Sequence, residues 1–142
     1  MRTIDKLLAQ YSESHLNPTN EVIHFICVPV IVFTLLGLLW SVHWVLAVLV
    51  TIASLVYYAK LSKPFAVGMA LMSAVMLLLL AALPDQAILP LSIAIFVLAW
   101  VGQFVGHQIE GKKPSFLEDV RFLLIGPLFV LSFLYRRLNL AY

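Results

Sequence analysis

Two short blocks carry most of the side chains in this sequence that can do chemistry. One is YSESHLNPTNEVIHF, residues 11–25; the other is WVGQFVGHQIEGKKP, residues 100–114. In the first, a helix begun at Pro18 would place Asn20 and His24 one turn apart on a common face, with His15 in the loop just before it. In the second, Trp100, Gln103, His107 and Glu110 recur at helical spacing, so that one stripe bears an amide, an imidazole and a carboxylate. A histidine followed three residues later by a glutamate is also how helical carboxylate sites present two metal ligands. Imidazole with carboxylate suits Fe(II), Zn or Mn, and a facial set with open positions is the usual arrangement of Fe(II) oxygenases. Ligand type alone does not choose among these metals. Plainer roles exist for several of the same residues. Asn17 and Asn20 can cap a helix, His15 can sit solvated in a loop, and Trp100 can be an interfacial aromatic. Gly102 and Gly106 form a small-xxx-small pair that lets another helix approach closely.

The elements that must hold these groups are membrane helices. Of 142 residues, 63% are hydrophobic and 11% charged, whereas a soluble domain has about a quarter of its residues charged. So little polar surface cannot cover a water-soluble globule, and an all-α, polytopic membrane bundle is expected, read as one domain over residues 1–142 with the bilayer and no nucleic acid as its surroundings. The first twenty residues lack the apolar core of a signal peptide and carry Asp5, Lys6 and Glu13 there. The single cysteine, Cys27, lies in an apolar run and reads as an inert packed thiol.

Four segments have the length and apolarity of spans: Val22–Trp40, Trp44–Leu61, Phe65–Leu83 and Ile88–Val105. Their short connections make antiparallel neighbours. A fifth apolar stretch, Phe122–Tyr135, is shorter and contains Gly126-Pro127; it is expected to be re-entrant or interfacial, turning back at that pair. Arg2, Lys6, Lys60, Lys63, Lys112, Lys113 and Arg121 all fall on one side of a four-span bundle, which marks that side as cytoplasmic. Arg136 and Arg137 join them if the fifth stretch returns. His15, His24 and His107 then share the cytoplasmic mouth, and His43 lies on the order of 30 Å away at the other face.

With these residues in view, the chain resembles the small membrane family typified by the yeast 2-hydroxy fatty acid dioxygenase. The resemblance rests on His15, Asn20, His24 and Pro29; on Trp100, Gln103, Gly106, His107, Gly111 and Pro114; and on the run Gly126-Pro127-Leu128-Phe129. Ile109 stands where the family often has an aromatic residue. The resemblance implies an Fe(II)-dependent dioxygenase of fatty acid α-oxidation that converts a 2-hydroxy fatty acid to the acid one carbon shorter, using O2. It implies His15, His24 and His107 as iron ligands, with Glu110 either a fourth ligand or an acceptor orienting an imidazole. Asn20 and Gln103 become candidates for hydrogen bonds to ligand histidines, bound oxygen or substrate. Lys112, Lys113 and Arg121 can draw the carboxylate or simply anchor the topology; Glu118 and Asp119 can supply an oxygen ligand or cap the fifth segment. Tyr11 and Ser14 are possible substrate contacts. Compact size suggests a bacterial member in the cytoplasmic membrane. The competing expectations are a non-enzymatic lipid-binding or assembly protein and a metal-dependent lipid hydrolase.

Overall fold

Asn17 and Pro18 start the first long helix as their chemistry requires. In the computed structural model, which describes residues 2–12, 17–111 and 124–142, the Asn17 side chain accepts hydrogen bonds from the backbone amides of Thr19 and Asn20 at 2.9 and 3.4 Å. Proline in the first turn has no amide to leave unpaired. The chain forms α1 (Thr3–Ser12), α2 (Pro18–Val42), α3 (Trp44–Leu61), α4 (Lys63–Ala82), α5 (Asp85–Glu110) and α6 (Ile125–Arg137), with no strand among the described residues.

Helices α2 to α5 are each long and apolar enough to cross a membrane. The expected spans are all present, and α3 has the bounds read from the sequence. Helix α2 starts a turn earlier than its apolar run because of the Asn17 cap, and α5 runs on to Glu110 before Gly111 ends it at a φ of +74°. That left-handed conformation suits glycine. At 25 and 26 residues, α2 and α5 are about 37–39 Å long, beyond the ~30 Å hydrocarbon core, so their ends reach the interface. Two polar side chains make the tight turns: His43 Nδ1 accepts the Val45 amide at 3.1 Å, and Ser62 Oγ accepts the Phe65 amide at 3.4 Å.

Helix α2 is central and packs against α3, α4, α5 and α6. Its seam with antiparallel α5 is lined by glycines. A Cβ on Gly37 would meet Ser92 Oγ, one on Gly102 would stand 2.7 Å from Cys27 Sγ, and one on Gly106 would meet Asn20 Oδ1. These close approaches replace the hydrophobic driving force that lipid removes. They also account for Cys27 as a packed thiol. The outward faces keep large apolar side chains such as Leu78 and Leu98, each 70% exposed, which fits contact with lipid.

The fifth apolar stretch departs from its expected shape. The chain does not reverse at Gly126-Pro127; both residues lie in the first turn of a continuous 13-residue helix, α6. Proline at that position costs no helical hydrogen bond. At about 20 Å the helix is too short to cross the bilayer core. It leans instead across the mouth of the bundle. Gly126 lies against Val28 of α2, the Phe133 ring meets Phe25 at 4.8 Å, and Arg136 shares a small polar cavity with Glu21 in the first turn of α2. The end of α6 therefore returns to the side where α2 begins, and Arg136 and Arg137 join the other basic residues there. Helix α1, amphipathic through Ile4, Leu8 and Tyr11, lies on α6 and closes the mouth.

Candidate metal and substrate site

At the mouth, α2 presents Asn20, fully buried, and His24, 4% exposed, one turn apart. A buried imidazole needs a partner for its ring nitrogens, and α1 supplies one. The Tyr11 hydroxyl lies 3.2 Å from His24 Nδ1. The Tyr11 ring also packs edge-on to the imidazole and leans against Phe129 of α6 at 4.8 Å. Gly126 makes room for this group, since a Cβ there would sit 3.2 Å from both Tyr11 Oη and Val28 Cγ1. The imidazole is thus gripped by α1 and α6. Where Nε2 serves as a metal ligand, Nδ1 carries the proton and donates it to Tyr11 Oη, an outer contact of the kind that orients ligand histidines.

Across the seam, α5 buries Ile88, Ser92, Ala99, Gln103 and Gly106 as one helical stripe. Gln103 is 6% exposed, and its Oε1 has no hydrogen-bond partner among the described residues; Trp100 Nε1, a turn away, is buried in the same condition. Leaving a buried acceptor unpaired costs roughly 1–3 kcal/mol, so an unpaired carbonyl beside the mouth is suited to a ligand's donor. The pairings Gly102 with Cys27 and Gly106 with Asn20 put Gln103 at the depth of His24 to Ile26. His107 follows Gly106 directly, and Glu110 closes the last turn of α5, so both backbone positions stand at the same mouth.

The side chains of His107 and Glu110 lie outside the described residues, as do His15, Ser14, Lys112, Lys113, Glu118, Asp119 and Arg121. Among the described residues no three His, Cys, Asp or Glu side chains form a group able to hold a metal. Of the expected ligands, only the His24 side chain is described. His43 is at the other end of α2, about 28 Å from His24 along the helix, occupied as the cap of α3.

Tyr11, expected from the sequence as a possible substrate contact, is found as the partner of His24. Its signal was available in the spacing of Ile4, Leu8 and Tyr11 on one helical face, which had to dock somewhere near the mouth. On the exposed start of α1, the Arg2 guanidinium bonds the Asp5 carboxylate at 3.0 Å and holds that acid below the usual carboxylate range.

The sequence profile of the family described as 2-hydroxy-palmitic acid dioxygenase Mpo1-like matches residues 1–138. The 2-hydroxy-palmitic acid dioxygenase MPO1 of Saccharomyces cerevisiae is 31% identical over 140 residues, spanning 91% of this chain and 78% of the yeast protein. No solved structure matches the chain.

Proposed function

Because the chain belongs to the Mpo1-like family, we propose that it is an Fe(II)-dependent dioxygenase that shortens a 2-hydroxy fatty acid by one carbon with O2. The observation that carries this is the buried Tyr11–His24 pair at the mouth of a lipid-facing bundle, with the unpaired Gln103 carbonyl at the same depth. The overall change, from acid and O2 to the shorter acid, carbon dioxide and water, balances without an outside reductant.

The residues at the mouth fit an iron site. An imidazole held at one nitrogen by a tyrosine hydroxyl, a buried acceptor lacking a donor, and a glycine seam that lets α5 approach α2 are what such a site asks of its surroundings. His15, His24 and His107 would hold the ion, with Glu110 as fourth ligand or as an acceptor for one of the imidazoles. Bound Fe(II) supplies activation of O2 and a chelation partner for the substrate's hydroxyl and carboxylate.

The chain's own residues perform the rest. Tyr11 fixes the orientation of His24. Gln103 Oε1, an acceptor only, accepts a hydrogen bond from the 2-hydroxyl and so selects a hydroxy acid over a plain one. Asn20, pressed against Gly106, keeps α2 and α5 in register. Helices α1 and α6 keep bulk water from the mouth, which strengthens every polar contact beneath them. The basic residues at this end support a cytoplasmic position for the mouth, a sidedness checked by labelling Arg136→Cys in sealed vesicles; modification only from the outer side contradicts it.

The experiment is metal analysis of the purified protein with oxygen uptake on 2-hydroxypalmitate. About one iron per chain and a product one carbon shorter are expected. Iron without uptake removes the substrate assignment; uptake that survives both His24→Ala and His107→Ala removes the histidine site.

A further inference from the structure

Two apolar cavities of nearly equal size flank α2. One, about 530 Å³, is walled by α2, α3 and α4 and reaches Leu124 just before α6. The other, about 540 Å³, lies between α2, α4 and α5. Volume does not distinguish them, and both fall in the range of small-molecule sites, roughly 300–1,000 Å³. Their positions around α2 do. At 3.6 residues per turn, the α2 residues of the first cavity spread from Leu38, about 40° to one side of His24, to Leu36, about 120° to the other, and centre about 40° from it, in the direction of Val28. Pro29, Val30 and Phe33 of the second lie about 120–180° away, on the opposite face.

Depth agrees with direction. Helices α2 and α3 meet at His43, so residues equidistant from it stand at one depth, and Tyr58 stands opposite Val28. The upper end of the first cavity is formed by Tyr58 and Leu124, whose hydroxyl and carbonyl are joined at 2.7 Å. That end is one helical turn, about 6 Å, below His24. Between the two lies Val28, buried and packed against Gly126 of α6, so it is the one α2 side chain that a tail passing from His24 into the groove must displace. The cavity then descends along α2 to Val42, about 27 Å below His24, more than the ~15 Å of one leaflet of the hydrocarbon core.

We propose that the groove between α2, α3 and α4 holds the acyl chain of a long-chain 2-hydroxy acid whose head lies at His24, and that Ser54, facing the groove about 12 Å below His24, sets the length admitted. This rests on the dioxygenase reading for the identity of the head. The groove on the opposite face of α2 holds only bilayer lipid.

The test compares Ser54→Phe with Val75→Phe, which puts the same phenyl ring into the second groove. Binding of 2-hydroxypalmitate and 2-hydroxyoctanoate is read by native mass spectrometry, and turnover of each by oxygen uptake. Ser54→Phe is expected to lower the long-to-short ratio by at least about tenfold, equivalent to fewer than two buried methylenes, while Val75→Phe leaves it within about twofold. Ser54→Leu takes its place if the phenylalanine variant loses its helical circular dichroism. An unchanged ratio in the Ser54 variants, or an equal fall in Val75→Phe, overturns the groove. Wild-type protein that binds both acids and consumes no oxygen overturns the dioxygenase reading and leaves the binding comparison to judge the groove.

Discussion

At the scale of single residues, the centre of the site is a hydrogen bond between helices far apart in role. Tyr11 comes from a surface helix and His24 from the central span, yet their polar atoms meet at 3.2 Å in a buried setting. Tyr11→Phe keeps the ring against Phe129 and deletes only that bond. The expected result is a 10–100-fold loss of iron affinity in a chelator competition, the usual cost of removing such an outer contact, with helical content unchanged; undiminished affinity would make Tyr11 a packing residue. Gln103→Leu separates stability from function in the opposite sense. Removing a buried acceptor that has no partner among the described residues is expected to leave the melting temperature the same or higher. Turnover of the 2-hydroxy acid is expected to fall at least about tenfold, the worth of one lost hydrogen bond. A lower melting temperature with full turnover would show that Gln103 serves the fold. The buried placement of His24 and Gln103 was legible from the sequence, Gln103 because a polar side chain at membrane depth is costly and His24 because it follows Asn20 by one helical turn. Tyr11 was not, because a tyrosine before a loop has many equivalent roles until its helix is docked.

At the scale of elements, the α2–α5 seam decides whether the two chemical blocks meet. Sequence spacing identified Gly102 and Gly106 as small-xxx-small, and the seam gives each a named neighbour: Cys27 and Asn20. Gly106→Val drives a side chain into Asn20 Oδ1, which is backed by buried structure on every side. Both thermal stability and iron retention are expected to fall together, by about 1–3 kcal/mol for the overpacking; wild-type iron binding in a folded Gly106→Val protein would detach the site from this seam. Elements with a local start signal were read well. Asn17-Pro18 marks the start of α2, whereas α4 begins at Lys63, two residues before the expected Phe65, because the Ser62 side chain caps it. Helix α6 was read less well, since Gly126-Pro127 serves equally as a turn or as a first helical turn. Contacts with α1, α2 and α4 settle the choice, and those are long-range.

At the scale of the whole molecule, a bundle of four membrane-length helices is closed at one mouth by α1 and α6. The apolar share of the sequence already required the bundle. The cover could not be read from it, because it depends on α6 leaning back toward Glu21 and on α1 docking there. Together they cover Asn20 and His24 at one end of an apolar bundle; the proposed function would put the head of a hydroxy acid under this cover and its tail among the apolar helices. The most direct measurement is iron content of the purified protein together with oxygen uptake and product analysis on 2-hydroxypalmitate. The expected result is about one iron per chain and a fatty acid one carbon shorter, both lost in His24→Ala. Iron-free protein that still shortens the acid, or iron-loaded protein that consumes no oxygen with it, would contradict an iron dioxygenase at this mouth.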